Sequence, residues 1–181
     1  MNCNQKLTKK LEGISHFSYQ VMGRLTGSRG LSIAMTRNLY YSNPYGFKAR
    51  NAMGIYLTPE FEAERRNARV SDKILCRAAK TIFLGLKGDR LGKFTFKKRL
   101  ALPAVSARDG ARTILFFNQG KHIYFFDMYL KSKISKKKGK ELEDDEIDAY
   151  CKIAEDFVAL NQWQINHLLD ENELIEVICD D

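Results

Sequence analysis

Two periodicities divide the chain. Between residues 93 and 131, apolar and polar positions alternate in short runs, and on either side of that stretch apolar residues recur at helical spacing. Lys93–Leu102 (KFTFKKRLAL) and Ala111–Phe117 (ARTILFF) read as strands around a polar turn that holds Arg108-Asp109-Gly110. Lys121–Lys131 (KHIYFFDMYLK) follows across Asn118-Gln119-Gly120, a tight-turn signal. The three runs predict an antiparallel meander. A period of two sorts the first strand: Phe94, Phe96, Lys98 and Leu100 share one face, and Thr95, Lys97, Arg99 and Ala101 the other. Arg112 opens the second strand and Lys131 closes the third. A half-buried sheet of this pattern turns its aromatics inward and gathers Lys97, Arg99, Arg112 and Lys131 on an open, basic side.

Before the meander, Gly54–Leu57 (GIYL) is a short strand candidate. Thr58-Pro59-Glu60 then starts a helix, with Thr as cap, Pro at the first helical position and acids in the first turn. That helix runs over 59–68 with Phe61 as its anchor. A second begins at Ser71-Asp72 and carries Ile74, Leu75, Ala78, Ile82 and Phe83 at helical spacing to about Leu84, where Gly85 and Gly88 stop it. After the meander, Ser132–Lys140 is a basic loop. Glu141–Glu146 lead a long helix to about Leu160, with Leu142, Ile147, Tyr150, Ile153, Ala154, Phe157 and Val158 on its apolar face. Asn161 caps a final piece, Gln162–Asp170, in which Trp163 and Leu168 are expected to be buried. Glu173–Ile178 is either extended or a loose tail. The order β-α-α-β-β-β-α, with a second short helix at its end, implies an α+β fold: an antiparallel β-sheet with helices packed on one side.

Composition adds a core and a charge asymmetry. With 44% hydrophobic and 11% aromatic residues the chain can bury an interior. No run of 18 or more apolar residues predicts a membrane span, and no apolar segment follows the polar start as a signal peptide would require. Cys3, Cys76, Cys151 and Cys179 are scattered without CxxC spacing, which predicts reduced thiols and a cytoplasmic setting. His16, His122 and His167 are equally dispersed, so neither a metal nor a cofactor is expected, and His122 is read as a surface residue. The net charge of +8 is unevenly spread. Residues 1–52 carry +7, residues 53–140 carry +14, and residues 141–181 carry −13. A basic body suits a polyanion-binding surface, while the acidic tail suits a helix that packs on its own domain. Residues 1–52 hold one acid, Glu12, and show weak periodicity. They read as a basic N-terminal extension: a disordered arm, a small accessory unit, or the product of an upstream start codon. Residues 53–181 behave as the working domain.

Six pieces of that domain, in order, resemble the RelE/ParE toxin superfamily of type II toxin–antitoxin systems. They are Thr58-Pro59-Glu60-Phe61, Val70-Ser71-Asp72 with Leu75 and Ala78, Leu91-Gly92 with Phe96-Lys97-Lys98-Arg99, Gly110-Ala111-Arg112-Thr113, Tyr129-Leu130-Lys131-Ser132, and Glu173-Leu174-Ile175-Glu176-Val177. The resemblance, nearest to a RelE-like branch, implies an antitoxin partner that covers the basic face. It further implies a toxin that blocks translation as an mRNA interferase, an endoribonuclease cutting mRNA on the ribosome without a metal. In that chemistry a ribose 2′-OH attacks the adjacent phosphate and the 5′-oxygen leaves, which calls for a base, an acid and cations around the phosphorane.

Matched to the motif, Lys97 is a candidate base or charge stabiliser, Arg99 and Arg112 are phosphate clamps, and Lys131 is a supporting cation. Lys98, Lys136, Lys137 and Lys138 are candidate RNA-backbone contacts. Competing readings stand beside these. The Lys97–Arg99 run also fits a solvated face that discourages edge pairing, and Arg112 also fits an ion-pair partner of Asp109 or of the acidic tail. Two departures from the family pattern matter. Ser132, not an arginine, follows Lys131, and Tyr150 lies on an apolar helix face, whereas many RNA-cutting relatives offer a tyrosine near the C-terminus for stacking. The alternatives are therefore a non-nucleolytic, ParE-like toxin that binds DNA gyrase, and an inactive RNA-binding relative.

Overall fold

The computed structural model describes residues 53–103, 105–118, 121–133 and 142–179, all within the unit Ala52–Asp181. The basic extension 1–52 and Lys136, Lys137 and Lys138 lie outside the described residues. In order the elements are β1 (Ile55–Leu57), α1 (Pro59–Asn67), α2 (Asp72–Phe83), β2 (Asp89–Arg90), β3 (Thr95–Leu100), β4 (Ala111–Phe117), β5 (Ile123–Leu130), a 3-10 turn (Lys131–Lys133), α3 (Asp144–Ala159), α4 (Gln162–Asp170) and β6 (Ile175–Glu176).

The caps read from the sequence form as chemistry requires. Thr58 Oγ1 accepts a hydrogen bond from the Phe61 amide at 3.3 Å, with Pro59 in the first helical position. Asn161 and Gln164 close a reciprocal capping box, with the Gln164 amide donating to Asn161 Oδ1 at 3.0 Å and the Asn161 amide to Gln164 Oε1 at 2.9 Å. Beyond α2, Gly88 takes φ of 96°, and a Cβ there would strike the carbonyl oxygen of Lys97. The chain can thus return beside β3 only with glycine at this point.

The α+β class holds, and the sheet is six-stranded in the order β2-β3-β4-β5-β1-β6. β3, β4 and β5 form the expected antiparallel meander. β1 instead runs parallel to β5, with Ile55 opposite Ile123 and Leu57 opposite Phe125, so the sheet is mixed. Its two edges, β2 and β6, have two residues each. Such pieces are too short to leave a period in the sequence.

One face of the sheet offers Leu57, Phe96, Leu100, Leu115, Phe117, Ile123 and Phe125, and takes Phe61 of α1 and Leu75, Ala79 and Ile82 of α2. Each such side chain, fully buried, contributes about 1.5–3 kcal/mol. The expectation of helices on a single side needs extension, because α3 covers part of the opposite face. There Phe157 packs on Phe116, Tyr124 and Phe126 at ring distances of 5.5, 5.3 and 5.7 Å. A bulge explains this second apolar stripe. Ile114 pairs with Asp127 but Leu115 with Phe125, so β5 carries one extra residue, and Phe126 and Asp127 both serve the α3 side.

Three local expectations are corrected. Trp163 is 64% exposed and stacks on His167 one turn along α4; Leu168 is buried as expected, and Ile165 takes the place expected of Trp163. Cys76 and Cys179 form a disulfide, with Cα atoms 5.7 Å apart, although 103 positions separate them. Spacing arithmetic is blind to a pair that the fold brings together from α2 and the C-terminal segment. His122 is half-buried rather than superficial: its Nδ1 accepts a hydrogen bond from the Gly54 amide at 2.8 Å, and burial first, then Lys121, pushes its pKa down.

Candidate functional site

The site is built where β3, β4 and β5 end beside the turn 106–110. Strand alternation puts Lys97 and Arg99 on the α3 side of the sheet, and register puts Arg99 opposite Arg112, which in turn lies opposite Tyr129. Lys97, Arg99 and Arg112 therefore share a face on adjacent strands. Two arginines directly across from one another are normally unfavourable, so their juxtaposition needs a compensating cause. Lys98 points the other way, with Phe96 and Leu100. It is half-buried, its Nζ donates to the Leu86 carbonyl, and desolvation lowers its pKa.

Exposure along the cationic row is graded. Arg99 is exposed, Lys97 is partly covered, and Arg112 is only 5% accessible. Lys97 Nζ lies 3.8 Å from Asp89 Oδ2, across the β2–β3 pair. Arg112 turns its guanidinium onto backbone carbonyls: Nη1 donates to Ala107 and Ala111 at 3.4 Å each, and Nη2 to Arg108 at 3.2 Å. This relieves the opposition to Arg99. Lys131, in the 3-10 turn after β5, reaches the same loop. Its Nζ donates to the Arg108 carbonyl at 3.2 Å and to Asp109 Oδ1 at 3.1 Å. That hydrogen bond, and then the lysine charge, hold the Asp109 carboxyl below its usual range.

The neighbouring floor is closed. Asp127 is buried and accepts from the Tyr150 hydroxyl at 2.5 Å and from the Met128 amide at 2.7 Å. Burial first, and then the Asp127 charge, push the Tyr150 pKa up. Tyr150 is thus a docking pin for α3, and its ring, 2% accessible, is not offered to solvent.

The row thus leaves the Arg99 guanidinium and the partly covered Lys97 ammonium side by side on one strand face, while the Arg112 guanidinium is committed to the loop carbonyls. Sequence reasoning missed Asp89, because β2 is too short to show, and missed Arg108, because a turn residue carries no periodic signal. It also left Asp127 unweighed, since one acid within an apolar strand run is ambiguous until its register is known. No helix among the described residues is long and apolar enough to cross a membrane.

Among curated proteins, none matches the chain. The sequence model of the family described as RelE toxin of RelE / RelB toxin-antitoxin system matches residues 53–177. With that span of the chain matched, and with a mixed α+β sheet carrying the expected meander, this chain belongs to the RelE toxin family and is the toxin of a toxin–antitoxin system, with an antitoxin as its partner.

Proposed function

We propose that this toxin is a ribosome-dependent mRNA endonuclease acting in the cytoplasm. The observation that carries the reading is the sharing of one sheet face by Lys97, Arg99 and Arg112, with Arg99 directly opposite Arg112. In the proposed reaction a ribose 2′-oxygen attacks the adjacent phosphorus and loses its proton. The P–O5′ bond breaks, the 5′-oxygen takes up a proton, and a 2′,3′-cyclic phosphate remains. Lys97 and Arg99 face the phosphorane. An ammonium held near Asp89 suits the stabilisation of developing negative charge, and Arg99 suits a two-pronged hold on the non-bridging oxygens. Arg112 and Lys131 support the row from its β4–β5 end. The working unit is residues 53–181.

The test is primer extension on ribosome-bound mRNA. Cleavage by the wild-type protein, abolished by Lys97→Ala with Arg99→Ala, supports the reading; intact message with the wild type removes it. One observation favours a second reading, a gyrase-binding toxin without nuclease activity. Tyr150 is pinned on Asp127 and cannot stack on a base while α3 is docked. A supercoiling assay that fails on addition of the toxin, while mRNA stays whole, selects this alternative.

A further inference from the structure

The turn Ser106–Gly110 is more tightly built than a ten-residue connection between strands requires. The amides of Asp109 and Gly110 both donate to the Ser106 carbonyl, at 3.1 and 2.8 Å. The Lys131 amide donates to the Gly110 carbonyl at 3.1 Å. A Cβ at Gly110 would collide with the carbonyl oxygen of Leu100, so glycine lets the turn close down on the end of β3. Two cations then grip the turn: Arg112 of β4 through the carbonyls of Ala107 and Arg108, and Lys131, just past β5, through the Arg108 carbonyl and the Asp109 carboxylate. The Arg108 backbone is the point at which both grips meet. Its side chain is exposed, at the end of the sheet where Arg99 and Arg112 lie opposite each other.

Two cations converging on one short turn, and sharing the Arg108 carbonyl, make little sense as a solvated face. A surface turn could be left to water, and burying a guanidinium to 5% exposure has a desolvation cost. The arrangement makes sense if the turn must present something at a fixed place. Resting on the RNA-binding reading above, we propose that Ser106–Gly110 is a backbone-phosphate arm: Arg108 is its contact with single-stranded RNA, and Arg112 and Lys131 are positioning residues that act through it. The arm recognises phosphate and not base, so it extends the grip by one nucleotide unit without sequence choice. Asp109 belongs to the same device, because its carboxylate anchors Lys131 and keeps that ammonium on the turn.

The experiment is a fluorescence-anisotropy titration of the full chain with a labelled, uncleavable 2′-O-methyl RNA over a series of salt concentrations. Each phosphate contact on a single strand contributes about 0.7 to the slope of log affinity against log salt. Arg108→Ala is expected to bind more weakly and to flatten that slope by about 0.7, and Arg108→Lys to restore it. Arg112→Lys keeps a charge but loses the fork that holds the carbonyls. It is expected to flatten the slope as Arg108→Ala does, and the double variant to be no worse than either single one. Wild-type slope and affinity in Arg108→Ala overturn the proposal, and because that side chain is exposed, the variant folds. Losses from Arg108→Ala and Arg112→Lys that add on a logarithmic scale overturn the positioning role and return Arg112 to direct phosphate contact. A wild-type protein that binds no RNA at any salt overturns this inference, while the endonuclease reading stands or falls on the primer-extension assay.

Discussion

The two faces of the sheet are made from the same strands but do different things. Toward α1 and α2 the strands offer a mostly apolar surface from Leu57 to Leu100, interrupted by the Thr113–Lys98 pair. Toward α3 the surface is split. Phe116, Tyr124 and Phe126 lie under Phe157, Asp127 is pinned by Tyr150, and the row Lys97–Arg99–Arg112 continues to the strand ends. The first face answers chiefly to volume. The second answers to charge, hydrogen bonding and register, so substitutions on the two faces should separate stability from activity.

The largest effect should fall on the first face. Leu115→Ala, at a fully buried position, is expected to cost about 2–5 kcal/mol in urea unfolding, whereas Arg99→Ala should stay within about 0.5 kcal/mol of wild type while losing cleavage. A comparable loss of stability in both would erase the distinction between the faces. Next comes the disulfide that ties α2 to the C-terminal segment. Reduction, or Cys179→Ser, should lower unfolding stability by about 2–4 kcal/mol, read as a lower urea midpoint with a slope that rises as the unfolded chain expands. On the second face, Tyr150→Phe removes the hydroxyl from a buried carboxylate. It should cost about 1–3 kcal/mol, and hydrogen exchange should rise in α3 but not in α1 or α2.

The smallest effect concerns pH. His122 has a depressed pKa in the folded state, so the unfolded chain binds the proton more readily, and stability should be full above the ordinary histidine pKa and fall as pH drops through it. Thermal melts at a series of pH values would show that fall, and His122→Gln should flatten it. A flat wild-type profile between neutrality and pH 5 would mean that Gly54 finds another partner.

How far the sequence reveals this depends on the length over which each signal repeats. The meander, α1, α2 and α4 were legible because alternation, helical spacing and caps extend over several residues, and α4 begins and ends where Asn161 and Asp170 suggested. β2 was not, since two residues carry no period, and β6 was legible only as one of two readings of Glu173–Ile178. The parallel seat of β1 was hidden for another reason: which strand a short apolar run joins is decided by the helices that carry it across the sheet. The cationic row was legible as residues and faces, because parity fixes Lys97 with Arg99. The burial of Arg112 in the loop carbonyls was not, because it depends on how the turn folds back. The bulge at Asp127 was equally hidden, and without it Tyr150 could only be read as apolar helix surface. The disulfide is the plainest miss, since a thiol pair 103 positions apart leaves no local trace.

The place of β1 between β5 and β6 has a consequence for how such a chain is born. The earliest strand of the domain must wait with both edges open until the ribosome has made residues 123–130, and with one edge open until it has made 175–176. Distant pairings of this kind form slowly, because the intervening segment must first be drawn closed. A growing or truncated chain that lacks residues 175–176 therefore lacks a finished sheet, and a cell that makes this protein meets its completed surface only after that strand has been made.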